Sequence, residues 1–307
     1  MTGSPKARYG ATFMTQQQMD AIQKLFDGEP WTHMGIKSAE EVAKMKVAGA
    51  IGAHVLDEIS QHVTPGVTLQ EIDRLTHQLI VDKYGAEIVR LAVKTSGTGL
   101  AHTDRISASY ALNDIVANAP ASDMRLRTGD LFGIDVSARK DGWSSDTARR
   151  WIVGNEASPL IASLYAVSLQ VMWLVIGMIR PGVSVNEIAE AATSFASKHG
   201  FKVIDTFPAV GHGIGREHND GWFIPWRVGG LNEGRVLRKG MTFSVEIYLT
   251  PGSGEIVFLD NEVTSLVTAD GAPASYWEHI VAVTDEGCEV LDLRAGEESA
   301  WARSATV

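Results

Sequence analysis

The stretch Pro65-Gly66-Val67-Thr68-Leu69-Gln70-Glu71-Ile72 returns later in the chain as Pro181-Gly182-Val183-Ser184-Val185-Asn186-Glu187-Ile188. In each copy a hydroxyl residue stands three positions before a glutamate, Thr68 with Glu71 and Ser184 with Glu187. That is the spacing of a reciprocal helix cap, in which each side chain bonds the other residue's backbone N–H. A helical pattern follows each copy and ends near a glycine, Gly85 and Gly200. Another long helical stretch precedes each copy, 38–61 and 157–179. The first opens on its own cap spacing, Ser38 with Glu41, and continues through Val42, Met45, Ala48 and Ala53. A Pro-Gly turn before one capped helix is common. Two matched helix pairs, each followed by strand-like sequence, point to an internally duplicated α+β unit.

The strand-like segments of the first half are Ile88–Val93, Ile106–Ala111, Leu131–Ala138 and Trp143–Val153. Those of the second are Lys202–Phe207, Thr242–Leu249, Glu255–Leu266 and His279–Thr284. No low-complexity linker separates the halves, so one body with a shared central sheet is expected. Residues 1–35 read as an N-terminal extension, 36–295 as the domain and 296–307 as a C-terminal tail.

Composition narrows the class. Among 307 residues, 45% are hydrophobic and 21% charged, which is globular rather than disordered. A net charge of -10 lacks the basic density that displaces counterions from a phosphate backbone, so no nucleic-acid partner is expected. Cys288 is the single cysteine, which rules out an intrachain disulfide and a multi-thiolate zinc site and fits a reducing, cytoplasmic setting. No secretory signal is read in the first 27 residues. Residues 157–179 carry no charge, but Ser158, Pro159, Ser163, Tyr165, Ser168 and Gln170 interrupt the run. A helix laid on a sheet is the expectation there, not a membrane span.

The chemistry begins at Asp135, in the apolar run Leu131-Phe132-Gly133-Ile134-Asp135-Val136. Asp141-Gly142 is a hairpin turn signal, and the returning strand carries Asp146. Without a bulge, either even register puts both carboxylates on one face. Two carboxylates there repel each other and require a proton, a cation or a metal. In Gly211-His212-Gly213-Ile214-Gly215 a histidine stands between glycines, a context that packing explains poorly. Glu246 and Glu278 interrupt two further strands of β-formers. Each alone reads as a solvent-facing residue. Together, hard oxygens and one nitrogen suit divalent Mn, Fe, Co or Zn.

This ordered set resembles the methionine aminopeptidases and, more broadly, the pita-bread peptidases that include the proline-specific ones. The resemblance spans about residues 36–295. It rests on Ile134-Asp135-Val136, Ser145-Asp146-Thr147, Gly211-His212-Gly213-Ile214-Gly215, the Gly240–Glu246 segment, and Glu278-His279 leading into the segment Val283–Leu291. It implies a pita-bread fold, a curved antiparallel sheet with two helix pairs on its outer face, and a centre of two divalent metal ions. Asp135 is implied on one metal, His212 and Glu246 on the other, with Asp146 and Glu278 bridging. The activity implied is amide hydrolysis by an activated water, with Glu246 managing its proton and His212 and His218 completing the catalytic set. The substrate implied is a small peptide or an amino-acid derivative, in a monomer or homodimer away from any membrane.

The sequence departs from the family's pattern in three places. The family carries a histidine before its first aspartate, where this chain has Ala117 or, with the gap moved, Asn118. Asn118 can donate a hydrogen bond but cannot shuttle a proton, and His102 is a second candidate for that space. The family's second histidine lies seven residues after the first, whereas His218 lies six after His212. The segment Lys94–Leu100 lacks the family's aromatic and cysteine residues, while Trp222, Phe223 and Trp226 form a new aromatic cluster after His218. His218, Trp222, Phe223, Trp226, Asn118 and His102 are therefore the candidate substrate contacts. Two competing functions follow. The centre is reused on a non-peptide or modified amino-acid substrate, by C–N cleavage or iron redox chemistry, or the old cleft binds a peptide or protein without catalysis.

Overall fold

The computed structural model describes residues 12–13, 34–89, 92–94, 100–102, 107–206, 209–260 and 265–304. Four helices form the two expected pairs: α1 (Ala39–Ile59), α2 (Leu69–His77), α3 (Pro159–Met178) and α4 (Val185–Lys198). Ser38, Thr68 and Ser184 each cap a helix reciprocally with the glutamate three residues on, as the sequence predicts. Beyond His77 the second helix widens into a π turn, Gln78–Lys83. Ser158 caps α3, with Pro159 at the first turn where its missing N–H costs nothing. This helix has a mean hydropathy of 1.9 and the length to cross a bilayer. Its Leu164, Val167, Val171, Met172, Val175 and Ile176 are buried in the core.

The strands are β1 (Thr12–Phe13), β2 (Glu87–Ile88), β3 (Ala92–Lys94), β4 (Leu100–His102), β5 (Ser109–Leu112), β6 (Ile115–Ala119), β7 (Leu131–Lys140) and β8 (Trp143–Ile152) in the first half. The second half adds β9 (Lys202–Ile204), β10 (Gly211–His212), β11 (Phe223–Ile224), β12 (Thr242–Glu246), β13 (Tyr248–Thr250), β14 (Ile256–Asp260), β15 (Leu266–Thr268), β16 (Glu278–Val283) and β17 (Cys288–Val290). Eleven of them make one sheet, in the order β1-β14-β15-β6-β5-β7-β8-β16-β12, with β2 added to β7 and β17 to β16. Every pairing is antiparallel. Strands of both halves thus share the sheet, and β8 of the first half meets β16 of the second directly.

Each helix pair covers its own part of the sheet. Val55, Leu56, Ile59, Leu69 and Ile72 pack on Phe132, Ile134 and Val136 in one core, while the α3 and α4 side chains pack on Phe243, Val245, Val281 and Val283 in the other. Burial of each such side chain contributes about 1.5–3 kcal/mol. Gly52 lets α1 settle onto Thr147, since a Cβ there would stand 2.8 Å from the Thr147 Cγ2 atom. Alternation then sends the preceding residue, Asp146, to the opposite face of β8. The helices and the candidate site therefore lie on opposite faces of the same strands.

Several expectations change in the structure. The run Glu255–Leu266, read as one strand, gives β14 and β15, which pair with each other. The run Thr242–Leu249 is two strands: after Glu246 the chain leaves β16 and Tyr248–Thr250 pairs with β9. The strand β6 was not expected; Asn113, at φ 55, and Asp114 form the turn that folds it onto β5. Residues 298–304, set apart as tail, form helix α5 (Glu298–Ser304), whose Ala300 and Trp301 pack on the second core. Met34, placed in the extension, is likewise buried in that core. Residues 95–99, part of the altered pocket segment, lie outside the described residues.

Candidate metal centre

The β7–β8 hairpin turns at Asp141 and Gly142, both at positive φ (51° and 77°), the geometry favoured between twisted strands. No bulge intervenes, so Asp135 faces Ala148 and Ser137 faces Asp146. Ala148 in turn faces Glu278 across β8 and β16, and Glu278 faces Glu246 across β16 and β12. Asp135, Ala148, Glu278 and Glu246 therefore form one lateral row across four strands, on one face, with Asp146 one pleat along from Ala148. The row crosses the junction of the two halves.

His212 reaches this row from β10. Its backbone N–H donates to Ser244 Oγ (3.0 Å), and Gly213 bridges to Phe243 of β12. Glycine is needed at 213, because a Cβ would stand 2.1 Å from the Asp220 carbonyl oxygen. The ring is oriented by Nδ1, which lies 3.1 Å from the Gly213 carbonyl, leaving Nε2 for a metal. That Nε2 is 3.4 Å from Asp146 Oδ2 and 3.6 Å from Glu246 Oε1. The donor atoms of Asp135, Asp146 and Glu278 lie within 4.8 Å of one another, as do those of His212, Glu246 and Glu278. His218 lies against the same group, with Nε2 3.4 Å from Asp146 Oδ2 and its ring 4.8 Å from that of His212.

Crowded buried carboxylates distort each other's protonation. Burial, then the charges of Asp146, Glu246 and Asp135, lift Glu278 well above the ordinary carboxylate range. Burial and the neighbouring Asp146 lift Asp135 in the same way. Burial also raises Glu246, to about 7, against the opposing pull of His212 and Tyr248. Burial would raise Asp146 too, but the His218 and His212 imidazoles override it and hold the carboxyl at about 2.

Hydrogen-bond accounting tests whether the residues fit a metal. Glu278 is 1% exposed and neither of its carboxylate oxygens has a protein partner; Asp135 Oδ1 has none either. Buried unpaired anions cost several kcal/mol, and these three oxygens converge with one or two imidazoles. A set of carboxylates and imidazole with open oxygens fits divalent first-row cations.

The remaining oxygens are held by groups the sequence reading did not single out. Tyr248 Oη donates to Glu246 Oε2 (2.6 Å) and Ser244 Oγ to Oε1 (2.9 Å). Tyr276 Oη donates to Asp135 Oδ2 (3.1 Å) and Ser137 Oγ to Asp146 Oδ1 (2.8 Å). Beneath the tyrosines lies the buried Arg150, its guanidinium 4.4 Å from the Tyr276 ring centre. The signal was a period of two: Tyr248, Ser244 and Tyr276 each stand two residues from a ligand glutamate, and Ser137 two from Asp135.

The candidate substrate contacts lie in different surroundings. Trp222, Phe223 and Trp226 are all buried, Trp222 and Trp226 within the second core. Trp226 donates its indole N–H to the Glu246 carbonyl (2.7 Å), and Phe223 is the cross-strand partner of His212. Trp226 thus ties its loop to the strand of Glu246, and Phe223 shares a face with His212 beside the centre. Asn118, at φ 58, donates its backbone N–H to Ser109, which itself faces Asp135. His102 ends β4, in a two-stranded pair apart from the main sheet, and its side chain lies outside the described set.

The family model for metallopeptidase family M24 matches residues 43–285, most of the chain. The chain belongs to metallopeptidase family M24. This M24 protein is 33% identical over 265 residues to the methionine aminopeptidase of Escherichia coli (strain K12), covering 85% of this chain and 94% of that one. It superposes on the crystal structure of methionine aminopeptidase from Rickettsia prowazekii with a TM-score of 0.77 at 30% identity, covering 85% of this chain and all (100%) of that one. The prolidase from Pyrococcus furiosus shares the fold at a TM-score of 0.64 and 18% identity, over 91% of this chain and 74% of that one. The duplicated antiparallel sheet of this M24 protein is thus a pita-bread fold.

Proposed function

We propose that this chain is an aminopeptidase that uses two divalent metal ions to hydrolyse the first amide bond of a peptide, with N-terminal methionine as the first candidate side chain. The observation that carries the proposal is the row Asp135, Glu278 and Glu246, with Asp146 and His212 beside it and three of its buried oxygens, both of Glu278 and Oδ1 of Asp135, left without protein hydrogen bonds. The likeness to methionine aminopeptidases over 85% of the chain supports the substrate class.

Divalent ions held there would supply a Lewis acid for the amide carbonyl and a water made nucleophilic near neutral pH. Asp135 would hold one ion, His212 and Glu246 the other, and Asp146 and Glu278 would lie between them. Glu246 would take a proton from the attacking water and pass it to the leaving amine, with Oε2 steadied by Tyr248. The helices behind the sheet exclude water from the ligands' far side. Manganese, iron, cobalt and zinc all suit the donor set.

A second reading is favoured by one observation. By the resemblance, Ala117 or, with the gap moved, Asn118 stands where the family carries a histidine, and the buried Tyr248 and Tyr276 pack in the same cluster as Ala117. That change suits a non-peptide or modified amino-acid amide. The two are separated by a panel of N-terminal methionyl peptides offered to metal-saturated protein. Release of free methionine supports the first reading. A saturated enzyme that cleaves none of them rules it out and leaves the second.

A further inference from the structure

We propose that His218 is a metal ligand, completing a two-histidine, one-carboxylate set with His212 and Asp146 on one ion of the centre. This rests on the metal centre proposed above. The donor atoms of Asp146, His212 and His218 lie within 4.8 Å of one another. Asp146 Oδ2 stands 3.4 Å from the Nε2 atoms of both rings. An imidazolium–carboxylate hydrogen bond closes to about 2.7–2.9 Å, so 3.4 Å is long for a direct bond. Donors that share an ion at about 2.0–2.2 Å stand about 3–3.5 Å apart, which is the spacing found.

The loop that carries His218 is fixed where such a ligand must be. After Gly213 it is pinned to itself, with Asp220 N–H on the Gly213 carbonyl (2.7 Å) and Gly213 N–H on the Trp222 carbonyl (2.7 Å). Its outer limb is held by Lys37, whose ammonium lies 2.6 Å from Asp220 Oδ2. Its inner limb is tied to the strand of Asp146 by Ser144, which donates its N–H to Gly215 (2.8 Å) and its hydroxyl to Arg216 (3.2 Å). Ser144 and Asp146 are two residues apart and share a face. Only five residues separate the two histidines, and these ties bring the second ring over the same carboxylate as the first. A second imidazole adds nitrogen to a mostly oxygen site and shifts its preference from manganese toward iron, cobalt or zinc.

The test is X-ray absorption of the protein saturated with cobalt(II), with the imidazole shell counted in the parent, in His218→Ala and in His218→Gln. The expected result is one imidazole per cobalt averaged over two ions in the parent, and half that in both variants. Half an imidazole per cobalt in the parent would overturn the assignment, because His212 alone would then ligate. A parent that takes up no cobalt would instead overturn the centre itself. Calorimetric titration gives an independent reading: both variants are expected to lose zinc affinity by about 100-fold or more, and manganese affinity by less. Unchanged affinities with a raised KM would make His218 a substrate contact and overturn the proposal. His218 lies in a surface-reaching loop with its side chain 25% exposed, and circular dichroism establishes that each variant is folded.

Discussion

Tyr248 and Tyr276 stack with ring centres 4.1 Å apart, and each hydroxyl donates to a candidate ligand from a different half of the duplicated fold, Glu246 and Asp135 respectively. Register explains the contact. Glu246 faces Glu278, and the Leu249–Ser275 bridge keeps the same pairing after β12 ends, so Tyr248 falls opposite Tyr276. The pair couples the two ends of the carboxylate row. Tyr248→Phe and Tyr276→Phe are each expected to lower metal affinity by about 10- to 100-fold, read by calorimetry. The double variant is expected to lose less than the sum of the two, because each ring orients the other. Strict additivity would show that the hydroxyls act separately.

Metal removal is expected to make stability depend on pH. In the metal-free protein Glu246 keeps its proton to about 7, against 4.5 for an ordinary glutamate, and Glu278 and Asp135 are raised further by burial. The folded chain then binds protons that the unfolded chain has released. This stabilisation is full below the ordinary carboxylate range and lost as pH rises through 7 and beyond. Asp146, held at about 2, acts in the opposite sense, but only as pH falls below 3.8. The Tm of EDTA-treated protein should therefore fall between about pH 5 and about pH 8, and added metal should remove the decline. Parallel Tm profiles with and without metal would contradict this.

Arg294 is expected to hold the centre's two middle strands together. It is 1% exposed, donates to the Ala148 carbonyl (2.7 Å) and Thr147 Oγ1 (3.2 Å) beside Asp146, and bonds Glu297 through Nε (3.0 and 3.1 Å). Its Nη2 lies 2.8 Å from Nε2 of His279, the residue after Glu278. Arg294→Ala leaves Glu297 without its cation and should cost about 3–5 kcal/mol in denaturant unfolding. Burial would raise the Glu297 carboxyl, but Arg294 and His279 hold it well below the ordinary range. That contribution is present above the ordinary carboxylate range and lost as pH falls, so the variant should also lose less stability on acidification than the parent.

Gly133 makes room for the arginine under the tyrosines. A Cβ there would stand 2.3 Å from Arg150 Nη1 and 2.6 Å from its Cδ. Arg150 is tied to the Tyr276 carbonyl (3.0 Å) and the Val116 carbonyl (3.2 Å) and has no open space to retreat into. Gly133→Ala should destabilise the fold by about 1–3 kcal/mol and disturb the Tyr276 stack. A change in Tm within error of the parent would show that Arg150 relocates freely.

Much of this arrangement is legible in local sequence. The three reciprocal caps, the Asp141-Gly142 turn and the shared face of Asp135 and Asp146 follow from spacings of three, two and an even register. The break after Glu246 was not legible: β13 leaves its neighbour for β9 by a tertiary choice that leaves no mark in the run Ser244–Leu249. The surroundings of Trp222, Phe223 and Trp226 were not legible, because hydrophobic side chains near a loop histidine read alike whether they line a cavity or pack beneath a strand. Tyr248 and Tyr276 were within reach through their two-residue offset from Glu246 and Glu278. The burial that makes that offset meaningful is a property of the folded sheet.

The most direct test of the metal centre is elemental analysis of the purified protein beside an Asp135→Ala, Glu278→Ala double variant. About two equivalents of a transition metal in the parent, absent from the variant, is the expected result. A parent that holds no metal after reconstitution with manganese, iron, cobalt and zinc would contradict it, and would leave the row of buried carboxylates as the remnant of a centre that now only binds.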